Sequence, residues 1–186
     1  MPLLTIGHGP GGRESLAPRL HQAGIGLLVD IRRFPGSRTN PDVRRQALAE
    51  WLAAEGIGYR WEERLGGRRR LSPGTSSPDV WWRVDAFRAY AAHTRTEEFR
   101  AAIDEVLADA SGQTVVLMCS ESVWWRCHRR LVADVAVLGD GWTVQHLMPD
   151  GRAVAHRPAA GARLRADGSL VWDDMGQQPR SQPPAH

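Results

Sequence analysis

Short apolar segments alternate along the chain with longer segments whose apolar residues recur at helical spacing. The short segments have the length and the two-sided hydrophobicity of strands that are buried on both faces of a parallel sheet. These predicted strands cover residues 3–6, 27–31, 57–61, 114–119 and 142–147. The longer segments predict helices over residues 13–23, 41–56, 80–93, 96–109 and 124–138.

The order of these elements predicts an α/β fold, in which a mostly parallel sheet is sandwiched by helices in a Rossmann-like or flavodoxin-like arrangement. Residues 163–172 predict a small C-terminal hairpin that turns at Asp167 and Gly168. The chain has 186 residues, which suits one domain with its own core, and we expect that domain over residues 1–175. Residues 176–186 are rich in Gln, Pro and Ser and predict a disordered tail.

The predicted topology gathers polar residues at one edge of the sheet. Right-handed crossovers place all the strand-to-helix loops at the carboxyl ends of the strands, where ligands bind in such folds. His8 follows the first predicted strand, and Asp30 and Arg32 come at the end of the second. Cys119 and Glu121 come at the end of the fourth. We therefore expect these side chains to line one concave site.

The candidate catalytic residues are Asp30, Cys119, Glu121 and His8. A thiol near a helix N-terminus has a lowered pKa, so Cys119 is either a nucleophile or only a small buried residue. Glu121 and Asp30 are candidates for acid–base catalysis, and each can instead cap a helix or pair with an arginine. Glycine neighbours let a ligand approach His8 closely. A Cys-x5-Arg phosphatase loop is excluded, because position 125 is a tryptophan.

The candidate substrate-binding residues are Arg32, Arg38, Trp124, Cys127, His128 and Arg129. Arg129 can hold a phosphate or a carboxylate with two parallel hydrogen bonds. Trp124 can stack on a base. All 24 basic residues are arginines, but a net charge of +3 does not by itself establish a nucleic-acid binder.

The two cysteines, Cys119 and Cys127, are expected to be reduced thiols, since two cysteines in a cytosolic chain seldom form a structural disulfide. Together with His128 and either His8 or His146 they are suitable ligand types for zinc. However, Cys-x7-Cys-His is not a standard zinc spacing, and adjacent residues of a helix rarely both bind one ion. We therefore predict no metal and no cofactor.

Four motifs of this chain occur together in one known family. They are Thr5-Ile6-Gly7-His8, Val29-Asp30-Ile31-Arg32, Leu117-Met118-Cys119-Ser120-Glu121 and Cys127-His128-Arg129. On these motifs the chain resembles the domain-of-unknown-function family 488, from residue 4 to about residue 146. The Cys-x-Glu and Cys-His-Arg pair is the specific part. The resemblance implies an α/β sandwich and a bacterial or archaeal protein, and it implies no established reaction.

Three functions fit these residues. The first is an enzyme that acts on a nucleotide-like or nucleic-acid substrate at the carboxyl edge, by hydrolysis or glycosidic-bond cleavage. The second is a non-catalytic module that binds nucleic acid or an anionic small molecule there. The third is a thiol-dependent enzyme or redox sensor that uses Cys119. No apolar run approaches the ~20 residues of a membrane helix and no signal peptide is evident, so we expect a cytoplasmic protein without a membrane partner.

Residues 68–78 are rich in Arg, Ser, Pro and Gly and predict a mobile loop. Because this loop follows the third strand, we expect it over the same edge of the sheet as the candidate site. Its consecutive arginines, Arg68, Arg69 and Arg70, then either form a positive gate for an anionic substrate or are solvated charges without a role.

Overall fold

The computed structural model describes residues 1–173, so the predicted tail at 176–186 lies outside the described residues. The main sheet consists of β1 (Leu3–Gly7), β2 (Leu27–Asp30), β3 (Gly58–Trp61), β4 (Val115–Cys119), β5 (Val144–Leu147) and β6 (Ala153–Ala155). The helices are α1 (Gly12–Gln22), α2 (Arg45–Ala54), α3 (Asp85–His93), α4 (Glu97–Gly112) and α5 (Arg129–Leu138). Strands β7 (Ala162–Leu164) and β8 (Leu170–Trp172) form a separate hairpin.

The strand order in the main sheet is β3-β2-β4-β1-β5-β6, and β1 to β5 run parallel. The mostly parallel sheet and the small C-terminal hairpin are therefore confirmed. Strand β6 was not predicted; it consists of three exposed residues that pair antiparallel with β5. Such a short exposed strand has no buried side to produce a hydrophobic pattern. Since β2, β4 and β1 are neighbours, the loops that follow them lie side by side.

Both faces of the sheet are covered, because successive strand residues pack into two different cores. In β4, Leu117 belongs to the core that α3, α4 and α5 cover, and Met118 belongs to the core that α1 and α2 cover. This burial accounts for the continuous apolar strands and leaves the strand ends as the places for polar side chains. Within residues 1–173, no helix has the length and hydrophobicity needed to cross a membrane.

The helices predicted from residues 13 and 96 begin within one residue of their predicted starts, whereas those predicted from residues 41, 80 and 124 begin later, at Arg45, Asp85 and Arg129. Thr96 caps α4, since its hydroxyl oxygen accepts a hydrogen bond from the backbone N–H of Phe99 at 3.2 Å. Asn40 makes no such bond with its side chain. The segment Pro41–Val43 is a 3₁₀ turn, and the extended backbone of Arg44 separates it from α2.

The helix predicted from residue 124 also begins later, with consequences for the candidate site. Trp124–Arg126 is a 3₁₀ turn, and α5 begins only at Arg129. Between them, Cys127 has an extended backbone with φ −122° and ψ 150°, which interrupts the helix. Cys127 and His128 therefore lie in the loop at the carboxyl edge of the sheet, and not within a helix.

Candidate functional site

A cleft of about 210 Å³ opens at the carboxyl ends of β2 and β4. Its walls come from segments that are far apart in the sequence: the loops after β2, β3 and β4, the residues before α5, and α3. Its lining includes Arg32, Cys119, Glu121, Cys127 and His128. The structure therefore brings together five of the residues that were singled out in the sequence.

Cys119, Cys127 and His128 form a cluster on the buried side of this cleft, which we call the cysteine–histidine cluster. The Nδ1 atom of His128 lies 3.7 Å from the Cys119 sulfur and 3.6 Å from the Cys127 sulfur. The Nε2 atom lies 3.1 Å from the carbonyl oxygen of Ile31. Since a carbonyl only accepts hydrogen bonds, Nε2 carries a proton, and Nδ1 is the ring nitrogen that faces the two sulfurs.

Arg129 supports this cluster from behind. It is 1% exposed, its Nε donates to the Cys127 sulfur at 3.5 Å, and its Nη2 donates to the backbone carbonyl of Glu121. Among the described residues it forms no ion pair with a carboxylate. A buried guanidinium needs a negative partner, and the Cys127 sulfur occupies that position.

The two thiols have different proton affinities. Burial alone would raise the pKa of the Cys127 thiol, but the hydrogen bond from Cys119 and the neighbouring His128 and Arg129 outweigh it, so this pKa falls well below its usual value. The hydrogen bond to Cys127, together with burial, raises the pKa of the Cys119 thiol well above its usual value. Both cysteines are free in the structure.

Asp30 is completely buried and is bound by its neighbours. Its carboxylate accepts hydrogen bonds from Arg32 Nε at 2.8 Å and Arg32 Nη2 at 2.6 Å, and from the Tyr59 hydroxyl at 3.0 Å. The arginine pair that the sequence allowed as an alternative to catalysis is therefore present. This geometry gives Asp30 the task of holding Arg32, whose side chain lines the cleft.

His8 lies behind Arg32 in the same way. Its Nδ1 is 2.6 Å from the carbonyl oxygen of Gly9, so Nδ1 donates and Nε2 can accept from Arg32 Nη1 at 3.4 Å. Burial is the main cause that lowers the pKa of His8, and the nearby Arg32 charge adds to it. A neutral His8 therefore helps to orient Arg32, and it does not itself line the cleft.

Five of the ten residues predicted from the sequence lie outside the cleft lining: Asp30, His8 and Arg129, described above, and also Trp124 and Arg38. Trp124 stacks on His146 with ring centroids 4.2 Å apart and an angle of 9° between the planes, so one face of its indole is already covered. Arg38 is exposed in the loop after β2, further along the chain than the residues that reach the cleft. Base stacking by Trp124 and ligand binding by Arg38 therefore stay predictions without a contact to the cleft.

The mouth of the cleft is positively charged. Arg33 and Arg68 line both the cleft and an adjoining outer cavity of about 1030 Å³, and Arg126 lines the cleft. None of these three arginines forms an ion pair with a carboxylate within residues 1–173. Phe34 lies beside them with 61% of its surface exposed, and the Arg33 guanidinium is 5.6 Å from its ring centroid. The segment that contains Arg68 thus lies at the expected edge of the sheet.

Sequence reasoning did not identify Arg33, Phe34, Arg126 or Tyr90 as site residues. The first two directly follow Arg32, so their position after β2 was an available signal. Tyr90 comes from α3, and its ring packs 4.9 Å from the His128 ring. Only the tertiary packing of α3 against the carboxyl edge brings it there, and no local pattern announces that contact.

A second polar cluster is sealed inside the molecule, which we call the histidine–aspartate network. Thr5 lies 2.7 Å from His146 Nδ1, and His146 Nε2 lies 2.9 Å from His156 Nδ1. His156 Nε2 in turn lies 2.7 Å from Asp134, which also accepts from Trp172 Nε1 at 2.7 Å. Burial, and the neighbouring His156, lower the pKa of His146 to about 3. This network joins β1, β5, α5 and the C-terminal hairpin.

The fold and the site define an α/β protein whose parallel sheet carries two thiols, an imidazole and a carboxylate in a cleft at its carboxyl edge. A family model described as "Domain of unknown function DUF488" matches residues 13–136, which is more than half of the chain. The chain therefore belongs to this family, as the motifs indicated. The match includes Cys119, Glu121 and the Cys127 loop, and it begins after His8. No curated protein and no solved structure gives a significant match to the chain.

Proposed function

We propose that this protein is an enzyme that hydrolyses a nucleotide-like, phosphate-bearing substrate in the cleft between β2 and β4. The observation that carries the proposal is the combination of unpaired arginines at the mouth with a free carboxylate inside. Arg33, Arg68 and Arg126 face the cleft without a carboxylate partner in the described part of the chain. Glu121 lines the same cleft.

The arginines at the cleft are the groups that would bind the phosphate of the substrate. A guanidinium binds phosphate through two parallel hydrogen bonds, and a guanidinium without a protein partner is available for this contact. Arg32 differs from the three unpaired arginines, because its guanidinium is paired with Asp30 and also contacts the Val43 carbonyl and His8. An anionic group in the cleft would therefore meet arginines from the loops after β2 and β3 and from the turn before α5.

The exposed ring of Phe34 is the group on which the base of the substrate would stack. Stacking on an aromatic side chain binds any base through its π-face, and it costs the protein no hydrogen-bond partner. Phe34 lies at the junction of the cleft and the outer cavity, so a base there would leave its sugar and phosphate to reach inward. The outer cavity of about 1030 Å³ lies at the upper end of the range of small-molecule sites.

Glu121 is the acid–base group of this proposal. It is exposed in the cleft, and its carboxylate makes no hydrogen bond or ion pair within residues 1–173. The carboxylate takes a proton from a water molecule, whose oxygen attacks the phosphorus or the anomeric carbon. The bond to the leaving group breaks, and the leaving group keeps the electron pair and takes up the proton that Glu121 received, which restores the carboxylate. The free thiols agree with a reducing, cytoplasmic setting for this reaction.

The test combines turnover and binding in the full chain. Nucleoside mono-, di- and triphosphates are incubated with the protein, and released phosphate and released base are separated by chromatography. We expect Glu121→Gln to lose about 100-fold or more in turnover and to keep the nucleotide affinity. Arg157→Ala is the control, since Arg157 is exposed near β6 at the far side of the sheet. Binding without turnover by the unmodified protein would instead identify a non-catalytic anion-binding module, and absence of both would refute the proposal.

A further inference from the structure

We propose that the cysteine–histidine cluster is a zinc site, with the sulfurs of Cys119 and Cys127 and the Nδ1 atom of His128 as protein ligands. These three atoms all lie within 4.8 Å of one another. The inference goes beyond the proposed reaction and does not depend on it, because metal binding is measured without a substrate.

The spacing of the donor atoms matches the geometry of zinc. Zinc binds sulfur at about 2.3 Å and histidine nitrogen at about 2.0–2.1 Å in tetrahedral sites, which sets a sulfur and a nitrogen ligand roughly 3.6 Å apart. The distances from His128 Nδ1 to the sulfurs of Cys119 and Cys127 are 3.7 and 3.6 Å. Both sulfur–nitrogen distances therefore match those of a single tetrahedral zinc ion, and all three donor atoms lie within 4.8 Å of one another.

The His128 ring is fixed in the orientation that a ligand requires. Its Nε2–H donates to the Ile31 carbonyl at 3.1 Å, which is the usual second contact of a metal-binding histidine and leaves Nδ1 as the ligand atom. Tyr90 packs against the ring. On the remaining side, a Cβ atom at Gly67 would lie 2.7 Å from Nδ1. The glycine therefore keeps the space beside Nδ1 open.

Cys127 and His128 do not lie within a helix, so both residues can contact one ion. Two consecutive residues within a helix cannot easily point at one ion, and the sequence pattern placed Cys127 and His128 inside a helix. In the structure Cys127 is extended and His128 precedes the first residue of α5. Both side chains can therefore turn toward Cys119, which the end of β4 supplies from the sheet.

The charges around the cluster suit two thiolates and a divalent cation. Arg129 is buried and donates to the Cys127 sulfur, so one sulfur already carries a contact that favours its anionic form. Zinc would neutralise the two thiolates. Two sulfurs and an imidazole nitrogen are donors that favour zinc over magnesium or calcium, which bind oxygen.

The cluster supplies three protein ligands and faces a cleft. Structural zinc sites are closed by a fourth protein ligand, whereas catalytic sites keep one position open. Cys119, Cys127 and His128 all line the cleft in which Glu121 and Arg126 also lie. An ion held there would meet a substrate or a water molecule from the cleft side.

The test measures metal binding by the reduced full-length chain after its metal has been removed with a chelator. The protein is titrated with Co²⁺, and Zn²⁺ is then added to displace it. We expect one Co²⁺ per chain, with the sulfur-to-cobalt charge-transfer band and the strong visible bands of tetrahedral cobalt. Circular dichroism of each variant verifies that it is folded.

Ligand and neighbour variants locate the site. We expect Cys119→Ser, Cys127→Ser and His128→Ala each to weaken Co²⁺ binding by more than about 100-fold. Replacing a residue that only hydrogen-bonds to a metal ligand already weakens metal binding about 10–100-fold, so loss of a ligand should cost more. Gly67→Ala keeps all ligands and crowds Nδ1, so it should weaken binding about 10-fold. His21→Ala, which removes an exposed histidine remote from the cleft, is the matched control and should change nothing.

Several results would overturn the inference. They are a reduced protein that binds no Co²⁺, a cobalt spectrum without the charge-transfer band, and equal binding by the parent chain and by His128→Ala or Gly67→Ala. A protein that forms a Cys119–Cys127 disulfide and binds no metal even after reduction would point to thiol redox chemistry instead. If a cysteine variant fails to fold, the parent spectrum and Gly67→Ala still decide. Metal binding without hydrolysis would contradict only the proposed function, and hydrolysis by a chain that binds no metal would contradict only the zinc site.

Discussion

Two histidine-containing clusters lie close to the same sheet, and only one of them is closed. In the histidine–aspartate network, each ring nitrogen of His146 and His156 has a partner within the protein. In the cysteine–histidine cluster, His128 Nδ1 has only two sulfurs beside it, and the sulfurs line a cleft. Both clusters are polar groups in the interior, so polarity and burial alone do not distinguish their roles.

The difference lies in where the hydrogen bonds end. The closed network ends on Asp134, whose carboxylate receives His156, the Trp172 indole and the backbone N–H of Ala159. Such a fully paired network stabilises one arrangement of the chain and has nothing left for a ligand. The open cluster has a fixed imidazole and two soft sulfur atoms that can still bind something else. Substitutions in the closed network should therefore lower stability, and substitutions in the open cluster should lower binding.

The largest effect is expected from Asp134→Ala. The substitution leaves three buried donors without an acceptor, and each such donor costs about 1–3 kcal/mol. We expect the free energy of unfolding in urea to fall by about 3–5 kcal/mol. The counterpart in the open cluster is Cys119→Ser, for which we expect a loss of about 1 kcal/mol. If both variants lose the same free energy of unfolding, the two clusters do not differ in their contribution to stability.

The closed network also predicts a loss of stability in acid. The pKa of His146 is lowered from 6.5 to about 3 by burial and by the charges of His156 and Arg129. The unfolded chain therefore binds a proton below about pH 6.5 that the folded chain does not bind until about pH 3, so stability falls as the pH decreases through that window. We expect a loss of about 2 kcal/mol between pH 7 and pH 5.

Urea unfolding at several pH values measures this slope. His146→Gln removes the titrating ring, so it should lower the stability at pH 7 and flatten the pH dependence between pH 5 and 7. The exposed His21 serves as the control, and His21→Gln should keep the slope of the parent chain. A slope in His146→Gln as steep as that of the parent chain would assign the acid sensitivity to another group, such as His8, whose pKa burial also lowers.

The buried strands of this fold could be predicted because a strand buried on both faces is a continuous run of apolar residues. β4 is a continuous apolar run, and its two faces enter two cores. β6 has three exposed residues and is held only by its pairing with β5, so nothing local marks it. Topology also placed Arg32, Cys119 and Glu121 at one edge, because their strands β2 and β4 proved to be neighbours.

The contacts within the site could not be predicted from the same pattern. The apolar spacing of residues 124–138 continues through Cys127, and it favours one long helix in which Cys127 and His128 diverge. The extended backbone at Cys127, which brings its sulfur to His128, depends on the loop around it. Gly67 and Tyr90 reach the same imidazole from other parts of the chain. These are tertiary contacts, and a single sequence has no local signal for them.

A smaller effect is expected at the mouth of the cleft. Arg126 lines the cleft and has no carboxylate partner within residues 1–173, so its removal takes one contact from a bound phosphate. We expect Arg126→Ala to weaken the binding of a nucleoside monophosphate about tenfold in calorimetry, which corresponds to about 1.4 kcal/mol. The unfolding free energy should stay within about 0.5 kcal/mol of the parent. If Arg126→Ala binds the nucleoside monophosphate as tightly as the control Arg157→Ala, Arg126 does not contact the ligand.

The smallest effect concerns the arginine run after β3, where the structure separates the three residues. Arg69 is tied down, because it donates to the backbone carbonyls of Gly66, Glu63 and Arg64. Arg68 and Arg70 are exposed and line the outer cavity. If the outer pair forms a gate, Arg68→Ala/Arg70→Ala should weaken nucleotide binding a few-fold at low salt.

This weakening should disappear as salt is added, since exposed charges are screened beyond a Debye length of about 8 Å at physiological ionic strength. Affinity for the nucleotide would be measured at several salt concentrations, and the double variant should show the flatter dependence. Arg69→Ala should instead lower the stability of the segment and leave the salt dependence in place, because its guanidinium braces the backbone. If the double variant binds like the parent chain at low salt, the exposed arginines are only solvated charges, and the positive charge that faces the cleft comes from Arg33 and Arg126.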